Sequence, residues 1–267
     1  MSSNADLAYQ LSGKGYPVVF LHGFCESKQV WENFAPNLQE TFTTLIPDMP
    51  GFGESTGNTH YTNVEEMAGE VAKLLATLSI NSCVIVAHSL GGYVALALAE
   101  KHPLLVKGLC LFHSTAYADS EEKKHTRNKT ADFIEKNGLE PFAESFVPPL
   151  FFKGKRETLA PDMEKARQMV IQTPKETAVA VTKAMRDRPD RTQVLKEANY
   201  PVLFIAGRED EAVPLEAAKS QFFLPKRSIV HILPETAHMG MFERPRETVL
   251  IVSQFCDLCY SSMAVSK

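Results

Sequence analysis

The residues best suited to chemistry begin at Ala87-His88-Ser89-Leu90-Gly91-Gly92. This stretch follows an apolar run at 83–87 and precedes a helical pattern at 93–100. A serine held at a tight strand-to-helix turn points its hydroxyl out of a sheet, where a nucleophile must stand. Such a turn crowds the positions two before and two after the serine, and Ala87 and Gly91 supply small side chains there. The plainer alternative is that Ser89 only caps the helix that follows.

A second stretch, His22-Gly23-Phe24, comes directly after an apolar run at 17–21. Attack on an ester carbonyl places negative charge on its oxygen, and backbone N–H groups aimed at that oxygen stabilise it. The expected donors are the N–H groups of Phe24 and Leu90. Leu90 also opens a helix, whose dipole adds to the effect. A third stretch, Gly207-Arg208-Glu209-Asp210, offers two acids at a strand end, either of which can hold an imidazole in the required tautomer. A fourth, Ala237-His238-Met239, places a histidine in a loop beyond a strand, free to act as base and then as acid.

These stretches need a framework. Short apolar runs at 7–11, 17–21, 43–47, 83–87, 107–112, 202–206 and 229–233 read as strands. Helical patterns at 30–38, 64–78, 90–101, 215–222 and 247–258 lie between most of them. This alternation predicts an α/β fold: a mostly parallel, doubly wound sheet with helices on both faces. Roughly 85 residues separate the fifth and sixth strands, where a crossover needs only about a dozen or more. Helical patterns at 121–136, 160–172 and 175–188 and a short non-helical piece at 141–146 fill the interval. The expected organisation is a core from 1–114 and 199–267, with an inserted α-helical cap at 115–198.

Serine, acid and histidine, in that order and each just past a strand's carboxyl end, form a sequence that resembles the α/β-hydrolase superfamily over nearly the whole chain. The loop Asp48-Met49-Pro50-Gly51-Phe52-Gly53-Glu54-Ser55 looks like the family's D-x-x-G-x-G-x-S loop. The family's G-x-x-D-x-x-x-P pattern falls on Gly207, Asp210 and Pro214, which selects Asp210 over Glu209. The resemblance implies an α/β-hydrolase fold and a triad of Ser89, Asp210 and His238. It also implies a serine hydrolase that cleaves a small-molecule carboxylic ester or lactone through an acyl-enzyme on Ser89. Two other readings stand beside it: a carbon–carbon bond hydrolase or cofactor-free perhydrolase on the same triad, and a ligand receptor that keeps the fold. Cys25-Glu26-Ser27 after Phe24 departs from the glycine-rich loop of the carbon–carbon hydrolases. Epoxide hydrolases and haloalkane dehalogenases use an aspartate where this chain has Ser89.

Candidate pocket residues are His113, Phe142 and Phe146 with Met239. His22 and His88 are expected to bond the turns that carry Phe24 and Ser89, and Trp31 to pack in the core. No cofactor or metal is called for: Cys256 and Cys259 form a CxxC with no second pair, so they read as one face of the last helix. Five cysteines, an odd number, argue against a disulfide framework. Net charge is −4, with 44% hydrophobic and 22% charged residues, which draws the chain to neither nucleic acid nor an anionic membrane. The polar start at 1–6 lacks a signal-peptide pattern, and no apolar run is long enough to span a bilayer. The expected partner is a small-molecule substrate and the expected location cytoplasmic; oligomeric state is left open.

Overall fold

The structure, a computed structural model, describes residues 7–56 and 63–264, with side chains as far as 261. The polar start at 1–6 lies outside them. Strands β1 (Tyr9–Gly13), β2 (Tyr16–Leu21), β3 (Phe42–Pro47), β4 (Cys83–His88), β5 (Val106–Phe112), β6 (Val202–Gly207) and β7 (Ser228–Leu233) form one sheet. Its order is β1-β3-β2-β4-β5-β6-β7. Only β1 runs antiparallel, against β3. The other pairings are parallel. The carboxyl ends of β2, β4, β5, β6 and β7 therefore share one rim. Central β4 reads CVIVAH and is buried throughout, the near-continuous apolar run of a parallel strand covered on both faces.

Helices α1 (Val64–Thr77) and α2 (Leu90–Lys101) pack together, and α10 (Pro245–Ala264) packs on β4 and β5. Asn63 caps α1, its side chain accepting the Glu66 N–H at 2.8 Å, with Glu65 and Glu66 in the first turn where the dipole favours acids. Residues 90–99 of α2 are all buried, as befits a helix apolar on every side. The Tyr260 hydroxyl of α10 accepts the Val84 N–H at 3.0 Å and donates to the Pro17 carbonyl at 2.5 Å, clamping β4 and β2 at the end opposite the rim of strand carboxyl ends.

Between β5 and β6 lie α3 (Glu121–Asn137), α4 (Leu139–Phe146), α5 (Ala160–Gln172), α6 (Lys175–Asp187) and α7 (Thr192–Glu197). The core resumes with α8 (Leu215–Lys219) and, after β7, α9 (Gly240–Glu243). Two stretches differ from expectation. The helix expected at 30–38 is two 3-10 turns, Lys28–Trp31 and Ala35–Leu38, because Pro36 cannot donate within a continuing helix. The piece at 141–146 is helical: Pro141 falls in the first turn of α4, where its missing N–H costs nothing. Gly138, at φ 79°, breaks the chain between α3 and α4. Among the described residues, no helix is long and apolar enough to cross a membrane.

Candidate active site

Ser89 sits between β4 and α2 at φ 49°, ψ −115°. A non-glycine residue at positive φ is strained, and this strain is what thrusts a side chain clear of the sheet. Ser89 occupies the N-cap position but makes no side-chain capping bond, so the capping role is not realised. Its neighbours must be small. A Cβ at Gly91 would lie 2.7 Å from the Leu21 carbonyl oxygen and 2.8 Å from that of His22. The start of α2 thus presses against the turn that carries Phe24. Ser114 braces the elbow by donating from Oγ to the Ser89 carbonyl at 2.7 Å.

Asp210 and His238 meet: His238 Nδ1 donates to Asp210 Oδ2 at 2.8 Å. The second carboxylate oxygen, Oδ1, accepts the N–H groups of Ala212 and Val213 at 2.8 and 2.9 Å. Burial pushes the Asp210 pKa up, but the His238 charge and the bonds from His113 and His238 outweigh it and hold the carboxyl well below its usual range. Glu209 serves another purpose. Its carboxylate accepts the Thr236 N–H at 2.9 Å, and its own N–H bonds the Thr236 carbonyl at 3.0 Å, fixing the loop that carries His238.

That loop is held from three sides. Glu243 Oε1 accepts the N–H groups of Ala237 and Met239 at 2.9 and 3.2 Å. Its Oε2 accepts the Phe152 N–H at 2.8 Å. The His238 N–H itself bonds the Leu150 carbonyl at 2.9 Å, so the helical insert contributes directly to placing the imidazole. Among the described residues, neither Ser89 Oγ nor His238 Nε2 makes a hydrogen bond, which leaves both atoms available to a reacting partner. The Phe24 N–H is likewise without an acceptor among them. Leu90 is the first residue of α2, where a backbone N–H has no intrahelical partner.

The other residues named from the sequence divide. Phe142 and Phe146 stack on each other at 4.7 Å and meet Phe24 edge-on at 6.4 and 6.0 Å, which brings the segment between β5 and β6 to the turn after β2. His113, expected at the pocket wall, is 1% exposed and places Nδ1 3.1 Å from Asp210 Oδ2. Burial pushes its pKa down to about 4, with Asp210 offsetting only part, so the ring is neutral near pH 7. Met239, also named for the pocket, is fully buried. In both cases the loop turns the side chain into protein, a direction that sequence spacing does not carry. Trp31 packs against Phe20, Phe34 and Phe112, as expected. Glu26, His113 and Glu243 as partners of site residues had no sequence signal beyond their nearness to the motifs.

His113, Asp210 and His238 offer three ligand-type atoms within 4.8 Å of one another, among the described residues. Their closeness follows from two imidazoles bonding one carboxylate oxygen.

Comparison with known proteins agrees with this architecture. The chain is 28% identical over 239 residues to a dihydrolipoyllysine-residue acetyltransferase component of an acetoin cleaving system from Pseudomonas putida. The match takes in 88% of this chain but spans only 62% of that relative's length. Among solved structures, a thermophilic esterase from Thermogutta terrifontis (malate bound) superposes with a TM-score of 0.90 at 30% identity, covering 95% of this chain and 93% of that one. The enol-lactonase from Burkholderia xenovorans LB400 superposes at 0.86 with 22% identity, covering 93% and 95%. The family model for the alpha/beta hydrolase fold matches residues 16–245. With the parallel sheet, the strained turn after β4 and the acid–histidine bond, that match places the chain in the α/β-hydrolase family.

Proposed function

We propose that this protein hydrolyses a carboxylic ester or lactone of a small molecule through an acyl-enzyme on Ser89. The observation that carries the reading is the bond from His238 Nδ1 to the buried Asp210 carboxylate at the same rim as the strained Ser89 turn. In this reading Asp210 fixes the tautomer that leaves His238 Nε2 free to accept a proton. Ser89 Oγ attacks the carbonyl carbon as its proton passes to Nε2; such a bond tightens once substrate is in place. The N–H groups of Phe24 and Leu90 stabilise the oxyanion. His238 returns the proton to the leaving alkoxide, and a water, activated by the same imidazole, releases the acid and restores Ser89.

The insert serves as the lid, with Phe142 and Phe146 giving the acyl or alcohol group an apolar wall. The esterase and the lactonase among the similar structures support the choice of bond. Five free and buried cysteines suit a reducing compartment such as the cytoplasm.

A fluorophosphonate probe and p-nitrophenyl acetate test the reading without knowledge of the natural substrate. The protein is expected to label and to turn over the ester, and Ser89→Ala to do neither. Labelling or hydrolysis that survives in Ser89→Ala would overturn the assignment of the nucleophile.

A further inference from the structure

Two histidines beside the site face opposite hydrogen-bond environments. His22 Nε2 accepts the Met49 N–H at 2.8 Å, while its Nδ1 lies 2.9 Å from the Gly23 carbonyl. One donor and one acceptor suit a neutral ring, and burial pushes its pKa down. His88 differs. Its Nδ1 lies 3.0 Å from Glu26 Oε2 and its Nε2 lies 3.0 Å from the His238 carbonyl. The carbonyl is an acceptor only. A neutral ring beside an ionised Glu26 would leave one nitrogen lone pair pointing at an oxygen lone pair, on a ring fully closed to water.

Two proton placements relieve this. Either His88 carries both ring protons against a Glu26 carboxylate, or Glu26 is a neutral acid donating to Nδ1. Glu26 Oε2 also accepts the Gly23 N–H at 2.6 Å, a short bond of the kind charge-assisted acceptors make. Burial pushes the His88 pKa down and that of Glu26 up. The mutual charge and hydrogen bond outweigh burial in each, so His88 is raised and Glu26 lowered. Asp210 also favours the charged His88 ring; His22 and His113 oppose it only when protonated, and burial pushes the pKa of each down.

We propose that Glu26 and His88 form a permanently charged buried pair, whose two residues position the oxyanion turn and the His238 loop against the nucleophile turn. The inference rests on the function proposed above but names groups outside that triad and oxyanion pair. Glu26 and His88 are 62 residues apart along the chain, and His88 and His238 are 150 apart. Through Gly23 N–H, Glu26, His88 and the His238 carbonyl, one chain of bonds joins the loops after β2 and β7 to the end of β4. The pair also explains the glycine: a Cβ at Gly23 would lie 2.8 Å from His88 Nδ1 and 2.9 Å from the Glu26 carboxyl.

Nitrogen-15 NMR of the histidine rings, with the His88 signal assigned by its loss in His88→Gln, reads the charge state without any catalysis. Both His88 nitrogens are expected to be protonated at neutral pH in the wild-type protein, and only one in Glu26→Gln. A bare Nδ1 in the wild type would overturn the pair. Kinetics test the positioning role: Glu26→Gln is expected to lower kcat roughly tenfold or more with KM within about twofold, since misaligning oxyanion donors costs less than the ~10²–10³ of deleting one. Glu26→Asp, which keeps the charge, is expected to recover part of the loss. A Glu26→Gln enzyme with wild-type kcat, or an equal loss in both variants, would overturn the role. If the variants do not fold, assigning the His88 ring in the wild type by through-bond correlation from its backbone resonances still decides the charge state. Activity surviving in Ser89→Ala would sink the triad while leaving the protonation of His88, read from the wild-type spectrum, unaffected.

Discussion

The turn at Ser89 stores strain that a single substitution can release. At φ 49°, ψ −115° the serine holds a conformation that L residues avoid and glycine adopts freely. Such an outlier costs about 1–3 kcal/mol. Ser89→Gly removes that cost but makes the unfolded chain more flexible, which takes back about 0.4–1 kcal/mol. Ser89 Oγ makes no hydrogen bond among the described residues, so none is lost with it. The net expectation is a gain of about 1 kcal/mol, or a rise in Tm of roughly 2 °C for a chain of this length. Ser89→Ala is the comparator, because alanine keeps the Cβ and therefore the strain. Urea unfolding of the two variants measures the difference directly, with both expected to be inactive toward p-nitrophenyl acetate. A glycine variant no more stable than the alanine variant would show that the elbow is not strained, and the account of how Ser89 is presented would fail.

Gly91→Ala should do the opposite: its Cβ would meet the Leu21 and His22 carbonyl oxygens at 2.7 and 2.8 Å, and backbone cannot swing aside as a side chain can. A loss of about 1–3 kcal/mol is expected, with a fall in kcat as α2 is pushed off the turn that carries Phe24; wild-type stability and rate together would refute the close approach. Asp210 predicts an acid dependence. Its folded pKa lies below its unfolded value, so its stabilisation is present above the unfolded pKa and is lost as pH falls toward the folded one. Below about pH 4 the unfolded chain binds a proton that the folded chain refuses, and stability falls by about 1.4 kcal/mol per pH unit from this group alone. Asp210→Asn lacks this contribution, so the gap in unfolding free energy between wild type and variant should narrow from about pH 5 to about pH 3. The lowered Glu26 has the same sign but is present in both proteins. A gap that stays constant with pH would refute the account.

Much of the fold was legible because parallel strands covered on both faces are continuous apolar runs. All the strands appear within a few residues of their expected places, and the acid and histidine past β6 and β7 meet as the order of motifs implied. Where Glu209 and Asp210 competed, the resemblance to the family's pattern selected Asp210, and the structure turns Asp210 to His238 and Glu209 to Thr236. The sequence alone determined which residue types stand at strand ends, because apolar periodicity and small residues at tight turns are local properties of the chain. Only the tertiary structure decided that His113 backs the acid, that Glu26 bonds His88, and that Glu243 and Leu150 hold the His238 loop. Those are contacts between segments far apart in the chain, fixed by side-chain direction and by the need to satisfy every buried polar group, and neither leaves a pattern along the sequence.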